Sequence, residues 1–413
     1  MSHHAFSHPT IRLWARNAAL VLGLTVCLTA LSGAQTMSLI AALDFTTTSL
    51  TFDSAGNLYG TTILGGSSSN CAVFGCGTVF QVSPVSGGGY TKTTLYSFNG
   101  IPSSGDNDGA WPSAGVVIDS KGRLFGTTFN GGSSTNSGTV FMLTSTSSGW
   151  KETILHRFTG PDGANPGANL LLDSHGNLYG TTVGGGSSNS GTVFMLAPTA
   201  SGWKQTILHN FSGNGDGAGP SGIIFDAAGN IYGNTTANSC GEIFQLARAS
   251  GWKKTNLYVF TGKNGDGCQP QAFMAFDASG RLYGVTAAGG TSFSEGTVFT
   301  LSHASGSWKE STIYRFTGVN DGGVPNAIAF SPTGQLYGIT NYGTPDGCDS
   351  FDGCSQVFKL THGSTGWTVS ATYPTPILEP TGGGLTFDKS GNLFGTTADF
   401  HYDGYGDVFE LQP

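Results

Sequence analysis

Residues 56–62 read G-N-L-Y-G-T-T, and the identical string returns at residues 176–182. Close variants occupy residues 122–128 and 391–397. Three residues before each copy stands an aspartate, or in one case a serine, and this residue recurs at steps of 51 to 66 residues. A period of this length is typical of propeller blades. Seven positions mark the copies: Asp53, Asp119, Asp173, Asp226, Asp277, Ser331 and Asp388.

Each copy contains four strand-like segments. In the third copy they cover residues 169–173, 178–182, 191–196 and 205–211, and Gly, Asn, Asp and Ser lie between them. Short apolar runs bounded by such turn residues favour β-strands. Four antiparallel strands repeated around a centre form a β-propeller. The sequence therefore predicts an all-β fold, a seven-bladed β-propeller with four antiparallel strands per blade.

The two ends of the chain predict how the ring closes. The last copy stops at Leu411, after its third strand, while an unassigned strand at residues 39–45 precedes the first copy. A strand left without a partner at a sheet edge promotes aggregation. We therefore expect strand 39–45 to complete the last blade.

The N-terminus has the features of a secretory signal peptide. Arg12 and Arg16 precede an apolar run from Ala18 to Leu31, and small residues lead to Ala34. This order is typical of a signal sequence, predicted here as residues 1–34 with cleavage after Ala34. A lipoprotein signal at Cys27 is the alternative. Residues 35–413 are then one propeller domain, secreted to the extracellular space or cell surface, with the periplasm as a further compartment.

Six cysteines remain after that cleavage, and exported chains favour disulfides over zinc sites. Six cysteines allow 15 connectivities, so the pairing is open from sequence alone. Proximity along the chain favours two short loops and one longer one. The favoured pairs are Cys71–Cys76, Cys348–Cys354 and Cys240–Cys268.

Composition bounds the function. Glycine accounts for 66 of the 413 residues, only 10% are charged, and the net charge is −8. Nucleic-acid binding requires clustered Lys and Arg, so the charge argues against it. No later apolar stretch is long enough to span a bilayer. We expect a monomer that needs no cofactor.

The repeated pattern D-x-x-G-N-L-Y-G-T-T, followed by G-G and G-T-V-F, resembles the GloVer tandem-repeat proteins of bacteria. The resemblance covers nearly the whole chain after the signal peptide and implies an exported or surface-displayed propeller. The first two strands of each copy also resemble those of NHL-type propellers. The family supplies no catalytic residues to carry over. Some members carry a C-terminal anchor, which is not expected after Leu411.

Residues that recur in every copy are interpreted as packing residues, because each repeat buries its core against its neighbours. This applies to the aromatic residue of the repeated string and to the tryptophans that open the fourth strands. His156 and His209 occupy positions where other copies have tyrosine, which also indicates packing. The aromatic column is Tyr59, Phe125, Tyr179, Tyr232, Tyr283, Tyr337 and Phe394, and the tryptophans are Trp150, Trp203, Trp252, Trp308 and Trp367.

An Asp-Gly pair precedes the first strand of five copies, usually with a proline close behind. Calcium prefers several convergent oxygen ligands, and Asp106 with Asp108 could begin such a site. Asp-Gly is also a common turn, and most copies have a single carboxylate there. The calcium assignment is therefore the weaker interpretation. The pairs begin at Asp108, Asp162, Asp216, Asp266 and Asp321.

Function is expected where the copies differ, in the loops between the second and third strands. The loops at 63–76 and 341–354 are the longest, and the loop at 398–405 between them in the ring combines aromatic and acidic residues. Disulfides in the flanking loops would lower the entropic cost of binding. The predicted ligand-binding residues are Tyr342, Asp346, Asp349, Phe351, Asp352, Phe400, His401, Tyr402, Asp403 and Tyr405, with Trp111 at the border.

Three functions are compatible with these residues. The first is a non-catalytic module that binds a glycan or cell-envelope polymer through the face of blades 6, 7 and 1. The second is a hydrolase or lyase at the same face, with His401 as base beside Asp399 or Asp403, although no nucleophile motif accompanies them. The third is a structural or adhesion protein without a discrete ligand site.

Overall fold

The fold is known from a computed structural model. Its regular structure is almost entirely β-strand, with a 3-10 turn at Arg248–Ser250. None of the described residues belongs to a helix long and apolar enough to cross a membrane. The structure describes residues 36–43, 48–71, 74–100, 107–237, 240–290, 295–304, 306–318, 320–343, 355–375, 383–398 and 406–412.

The strands form seven antiparallel sheets that follow one another along the chain as the blades of a propeller. This confirms the predicted all-β, seven-bladed ring. Blade 1 comprises β2 (Thr51–Phe52), β3 (Leu58–Thr62), β4 (Thr78–Pro84) and β5 (Tyr90–Ser97). Blade 2 comprises β6 (Val117–Ile118), β7 (Leu124–Thr128), β8 (Thr139–Thr146) and β9 (Gly149–Arg157). Blade 3 comprises β10 (Leu171–Leu172), β11 (Leu178–Thr182), β12 (Thr192–Thr199) and β13 (Gly202–Asn210).

Blade 5 departs slightly from this scheme, because its first strand is divided into two short pieces that both pair with the second strand. Blade 4 comprises β14 (Ala218–Phe225), β15 (Ile231–Ala237), β16 (Glu242–Ala247) and β17 (Lys253–Val259). Blade 5 comprises β18 (Gly267–Pro270), β19 (Ala275–Phe276), β20 (Leu282–Gly289), β21 (Thr297–Ala304) and β22 (Ser307–Arg315). Blade 6 comprises β23 (Gly323–Phe330), β24 (Leu336–Tyr342), β25 (Gln356–Gly363) and β26 (Gly366–Pro374).

Blade 7 is assembled from both ends of the chain. It contains β27 (Thr386–Phe387), β28 (Leu393–Ala398), β29 (Gly406–Gln412) and the N-terminal β1 (Thr36–Leu43) as its fourth strand. β1 pairs antiparallel with β29 from Thr36 opposite Gln412 to Leu43 opposite Gly406. This confirms the predicted closure. The strand begins earlier than residue 39, and its predicted end at residue 45 lies outside the described residues.

The start of the repeated string is a hydrogen-bonded turn. In blade 3, one carboxylate oxygen of Asp173 accepts from the backbone N–H groups of His175 and Asn177, each at 2.9 Å. The other accepts from the side chains of Asn177 and Tyr179. Gly176 has φ of 82°, a backbone conformation that glycine adopts without strain. Aspartate, glycine, asparagine and tyrosine thus form one local unit.

The second glycine of the string makes room for a phenylalanine of the third strand. A methyl group added at Gly180 would lie 2.6 Å from the Phe194 ring, and one at Gly338 would lie 2.1 Å from the Phe358 ring. Both rings are fully buried. The same glycine and phenylalanine pair lies at the core of each of the other five blades.

The tryptophans join neighbouring blades, as the packing interpretation predicted. The ring centroid of Trp203 lies 6.0 Å from that of Phe125 in the preceding blade, and that of Trp252 lies 5.9 Å from that of Tyr179. Aromatic pairs of this kind stabilise by about 0.5–1.5 kcal/mol beyond the area they bury. Each tryptophan therefore covers the gap to the blade before it. It packs there on the aromatic residue of the repeated string.

Candidate functional site

The loops that link second to third strands lie on the same face of the ring as the Asp-Gly connections between blades. We call this the upper face. The Trp111 N–H, in the connection from blade 1 to blade 2, donates to the carbonyl of Cys76 at 2.9 Å, and Cys76 ends the long loop of blade 1. A backbone hydrogen bond therefore holds the connection against the loop.

The long loop of blade 1 is closed by a disulfide between Cys71 and Cys76, whose Cα atoms are 5.1 Å apart. The Gly65 N–H donates to the carbonyl of Phe74 at 2.6 Å, and the Asn70 side chain donates to the carbonyl of Asn99. These bonds fix the loop on the upper face, where the Phe74 side chain is 56% exposed.

The second predicted disulfide is also present. Cys240 and Cys268 are joined, with Cα atoms 4.4 Å apart, and both are buried between blades 4 and 5. The third predicted pair, Cys348 with Cys354, lies outside the described residues.

A left-handed residue precedes the proline of each of five connections on this face. Trp111 has φ of 58° and Asn165 has φ of 57°. Such values are uncommon outside glycine, asparagine and aspartate, and the residue before proline normally prefers extended backbone. In each case the N–H of this residue donates to a carbonyl just before the third strand of the preceding blade. The five positions are Trp111, Asn165, Gly219, Gln269 and Val324.

Trp111 stands out among these five. It is the bulkiest of them, and its side chain is 39% exposed, although a large residue in this backbone conformation costs free energy. The sequence placed it at the border of the predicted site without identifying its conformation. Each of the five left-handed residues is followed by a proline, and this proline is the sequence feature from which the five equivalent positions could have been recognised.

The predicted sector of blades 6, 7 and 1 is described only in part. Tyr342 is half-buried at the end of β24, and its hydroxyl donates to the Glu295 carboxylate of blade 5. Burial, followed by the contact with Glu295, raises the pKa of Tyr342. The tyrosine therefore tethers two blades. The remaining residues of this sector lie outside the described residues: Asp346, Asp349, Phe351, Asp352, Phe400, His401, Tyr402, Asp403 and Tyr405.

Asp108 holds a turn. Its carboxylate accepts from the Tyr96 hydroxyl at 2.7 Å and from the backbone N–H groups of Asn99 and Gly100. Asp106, its predicted partner for calcium, lies outside the described residues. Across the described part of the chain, no three His, Cys, Asp or Glu side chains are grouped closely enough to hold a metal ion.

The contact between Tyr96 and Asp108 has counterparts in later blades, where a histidine takes the place of the tyrosine. His156 Nε2 lies 2.9 Å from Asp162, and His209 Nε2 lies 3.1 Å from Asp216. Both imidazoles also pack edge-on against a phenylalanine two residues further along. Burial lowers the pKa of each histidine despite the neighbouring aspartate. The packing interpretation of these two histidines agrees with these contacts.

Burial raises the pKa of two carboxylates well above the ordinary value. Burial raises the pKa of Glu152 to about 8, helped by the nearby Asp108, and one of its oxygens is buried without a hydrogen-bond partner. Burial alone raises the pKa of Asp407 to about 7. Asp407 is the second residue of β29 and lies opposite Thr397. In four of the other six blades the matching residue is a threonine that hydrogen-bonds the threonine opposite it. Sequence reasoning identified neither carboxylate.

The centre of the ring is crowded. A methyl group added at Gly115 would lie 2.4 Å from the Ser49 carbonyl oxygen, one at Gly222 would lie 2.3 Å from that of Ala272, and one at Gly384 would lie 2.8 Å from the ring of Phe273. The described first strands of the blades carry no charged side chain. The nearest charged groups lie in the turns that follow these strands, such as Asp173.

Solved structures share this fold at low sequence identity, which shows the fold alone. Virginiamycin B lyase from Staphylococcus aureus is 14% identical with a TM-score of 0.55, covering 92% of this chain and 99% of that one. The extracellular domain of a protein assigned as a hybrid two component system from B. thetaiotaomicron is 12% identical with a TM-score of 0.56, covering 91% and 40%. PorZ, a bacterial surface component of the type-IX secretion system of Porphyromonas gingivalis, is 14% identical with a TM-score of 0.53, covering 88% and 46%.

No curated protein sequence matches the chain. The sequence pattern of the Gloeobacter/Verrucomicrobia repeat matches residues 44–172 and 136–350, which together span most of the propeller. The chain therefore belongs to the Gloeobacter/Verrucomicrobia repeat family.

Proposed function

We propose that this protein is an exported, non-catalytic binding module that recognises a glycan or cell-envelope polymer through its upper face. The observation that carries the proposal is Trp111, an exposed indole held in a left-handed backbone conformation against a disulfide-closed loop. Strained residues tend to occur at functional sites, and exposed aromatic residues often supply binding energy.

Phe74 adds a second aromatic surface. Its carbonyl and that of Cys76 hold Gly65 and Trp111 in place, so both aromatic residues belong to one hydrogen-bonded unit. Flat apolar rings are suited to the faces of sugar rings, and a few polar groups orient such ligands. Because a disulfide and backbone hydrogen bonds already hold this loop, we expect binding to cost little ordering entropy.

The compartment is part of the proposal. Two disulfides among the described residues are in keeping with an oxidising environment outside the cytoplasm. Two of the proteins with this fold are an extracellular domain and a bacterial surface component. We expect this chain to act outside the cell or at its surface, as a monomer.

A glycan array followed by titration of the best ligand tests the proposal. Trp111→Asn places at this position the residue that blade 3 has in the same conformation, so the connection should keep its shape. We expect binding to weaken by about tenfold or more, because a central aromatic contact is lost. Gln269→Asn changes the matching position between blades 4 and 5 and should leave the affinity unchanged.

If no glycan binds the wild-type protein, or if Trp111→Asn binds as well as wild type, the proposal is wrong. A Phe400→Ala, Tyr402→Ala double variant tests the neighbouring sector separately. An unchanged titration would remove residues 398–405 from the site while leaving the Trp111 surface in place.

A second candidate is a hydrolase or lyase site on the same face. The observation that favours it is Asp407, whose pKa of about 7 suits a general acid or base near neutral pH. His401, Asp399 and Asp403 precede it directly in the sequence. Polysaccharide cleavage that disappears in both Asp407→Asn and His401→Ala would establish this function. Intact polymer after prolonged incubation with wild-type protein would exclude it for that substrate.

A further inference from the structure

One side chain of the fourth strand occupies the same slot at five successive blade boundaries. In each blade it is the second residue after the tryptophan, and it lies beside the aspartate of the Asp-Gly connection. In blade 3, Gln205 donates to the carbonyl of Asp162 at 2.8 Å. In blade 4, Lys254 reaches Asp216 at 3.2 Å. The five occupants are Glu152, Gln205, Lys254, Glu310 and Val369.

The slot of blade 4 shows what it can hold. The Lys254 ammonium lies 3.2 Å from Asp216 and 2.7 Å from Glu242, and it lies 5.6 Å from the centres of the Phe211 and Phe244 rings. Carboxylates and aromatic faces are the usual partners of an ammonium group. The protein thus contains its own example of an alkylammonium bound in this slot.

The slot of blade 6 is open. Val369 is too short to cross it, and the space forms a cleft of about 660 Å³ on the outer rim between blades 5 and 6. Its walls include Tyr314 and Asp321 on one side and Ser370, Ala371 and Thr372 on the other.

The fourth strand of blade 6 explains the opening. In blade 5 the bulge between third and fourth strands falls at Val298 and Phe299, whereas in blade 6 it falls at Lys359 and Leu360. A bulge re-aims the side chains of its strand. Residues 368–372 read T-V-S-A-T where blade 5 has K-E-S-T-I at residues 309–313, so the strand is also smaller.

The aspartate of the open slot has the same local bonds as its counterpart in blade 4. Asp321 accepts from the Tyr314 hydroxyl at 2.9 Å and from both the N–H and the hydroxyl of Thr317. Asp216 has the equivalent contacts with His209 and with the N–H and hydroxyl of Ser212, and it still pairs with Lys254. Local bonds of this kind therefore leave the carboxylate able to accept an ammonium.

The surroundings favour a cation as well. Glu295 lies close by through its bond to Tyr342, and the whole chain carries a net charge of −8. Among the described residues, no lysine or arginine forms an ion pair with Asp321. The carboxylate thus faces an open cleft in an acidic environment.

We propose that the cleft between blades 5 and 6 binds a primary ammonium group on an alkyl chain, such as a lysine side chain. The ammonium pairs with Asp321, and its methylene groups lie along Val369 and Ala371. This site is separate from the Trp111 surface, so either proposal can fail without the other.

Titration followed by NMR chemical shifts tests the site at neutral pH. The probes are n-butylammonium chloride with n-butanol as the uncharged control, and N-acetyl-lysine methylamide with its Nε-acetylated form as control. We expect the two cations to bind and the two neutral compounds not to. If n-butylammonium binds and N-acetyl-lysine methylamide does not, the site is assigned to free amines and not to lysine side chains of peptides.

The decisive variant is Val369→Lys, which gives blade 6 the occupant of blade 4. It should abolish binding of both cations, because its own ammonium would pair with Asp321 as Lys254 pairs with Asp216 in blade 4. It should leave the fold intact, because the position borders an open cleft. Thr368→Lys is the matched control: it adds the same charge one residue away, on the exposed edge where blade 5 has Lys309, and should change affinity by less than about threefold.

Asp321→Asn supplies a second test, because it removes the charge while keeping the shape of the side chain. Binding should weaken by about tenfold or more, as expected for the loss of a charge-assisted bond. If neither cation shifts the signals of wild-type protein at tens of millimolar, or if Val369→Lys binds as wild type does, the proposal is overturned.

Discussion

Two positions of the repeat contrast sharply: the glycine and phenylalanine pair inside each blade, and the slot on the fourth strand between blades. The inner pair is the same in all seven blades, from Gly60 with Phe80 to Gly395 with Phe409. The slot holds a glutamate, a glutamine, a lysine, a second glutamate and a valine in five successive blades. The inner pair determines whether a blade forms, while the slot can vary in chemistry without changing the fold.

The largest expected effect tests whether the inner pair is equivalent in regular and irregular blades. Phe194→Ala in blade 3 and Phe358→Ala in blade 6 each remove a fully buried ring. Each should lower the free energy of unfolding by about 3–5 kcal/mol, measured by chemical denaturation. Phe194→Leu serves as a milder control. A markedly smaller loss in blade 6 would mean that its inner packing has diverged along with its outer strand.

An intermediate effect is expected from exchanging slot residues between blades 2 and 3. Glu152 has a folded-state pKa of about 8 against an ordinary value of 4.5, so the folded protein binds more protons than the unfolded chain between these values. The free energy of unfolding therefore falls as pH rises through this window. Glu152→Gln should stabilise the protein by about 1–2 kcal/mol near pH 8 and have little effect near pH 4.

The reverse exchange is the control. Gln205→Glu places a carboxylate next to Asp162 and should reproduce the loss of stability at high pH in blade 3. Denaturation midpoints at pH 4 and pH 8 for both variants decide the matter. A stability difference that does not depend on pH would show that Glu152 acts through packing and not through its charge.

The smallest effect concerns the aromatic partner of the slot aspartate. The pKa of His209 is lowered by burial, so the unfolded chain binds more protons once the pH falls below about 6.5, and stability is lost on acidification. His209→Tyr copies Tyr258 of the next blade and should recover up to about 1 kcal/mol near pH 5. Tyr258→His should make the protein more sensitive to acid. Equal midpoints for wild type and both variants at pH 5 would contradict this account.

The fold was predictable because its rules are local. Asp173, Gly176 and Tyr179 form their turn from residues a few positions apart, and the same spacing recurs seven times. Two predicted disulfides were also correct, since proximity along the chain favoured Cys71 with Cys76 and left Cys240 for Cys268.

The slot and the left-handed connections were not predicted, because both depend on how one blade docks on the next. No pattern within a repeat shows that Val369 lies beside Asp321, or that the bulge of blade 6 has moved to Leu360. The conformation of Trp111 even opposes the usual preference before proline. The predicted residues of loops 344–354 and 399–405 stay predictions, as those loops lie outside the described residues.

The pairing of Thr36 with Gln412 has a consequence for protein engineering. Anything fused ahead of the first strand and anything fused after the last would emerge side by side from one blade. A short linker between these two positions should therefore permit circular permutants opened at another blade boundary, because neighbouring chain ends favour such rearrangement. The arrangement also lets a single surface attachment near either end fix the orientation of the whole disc.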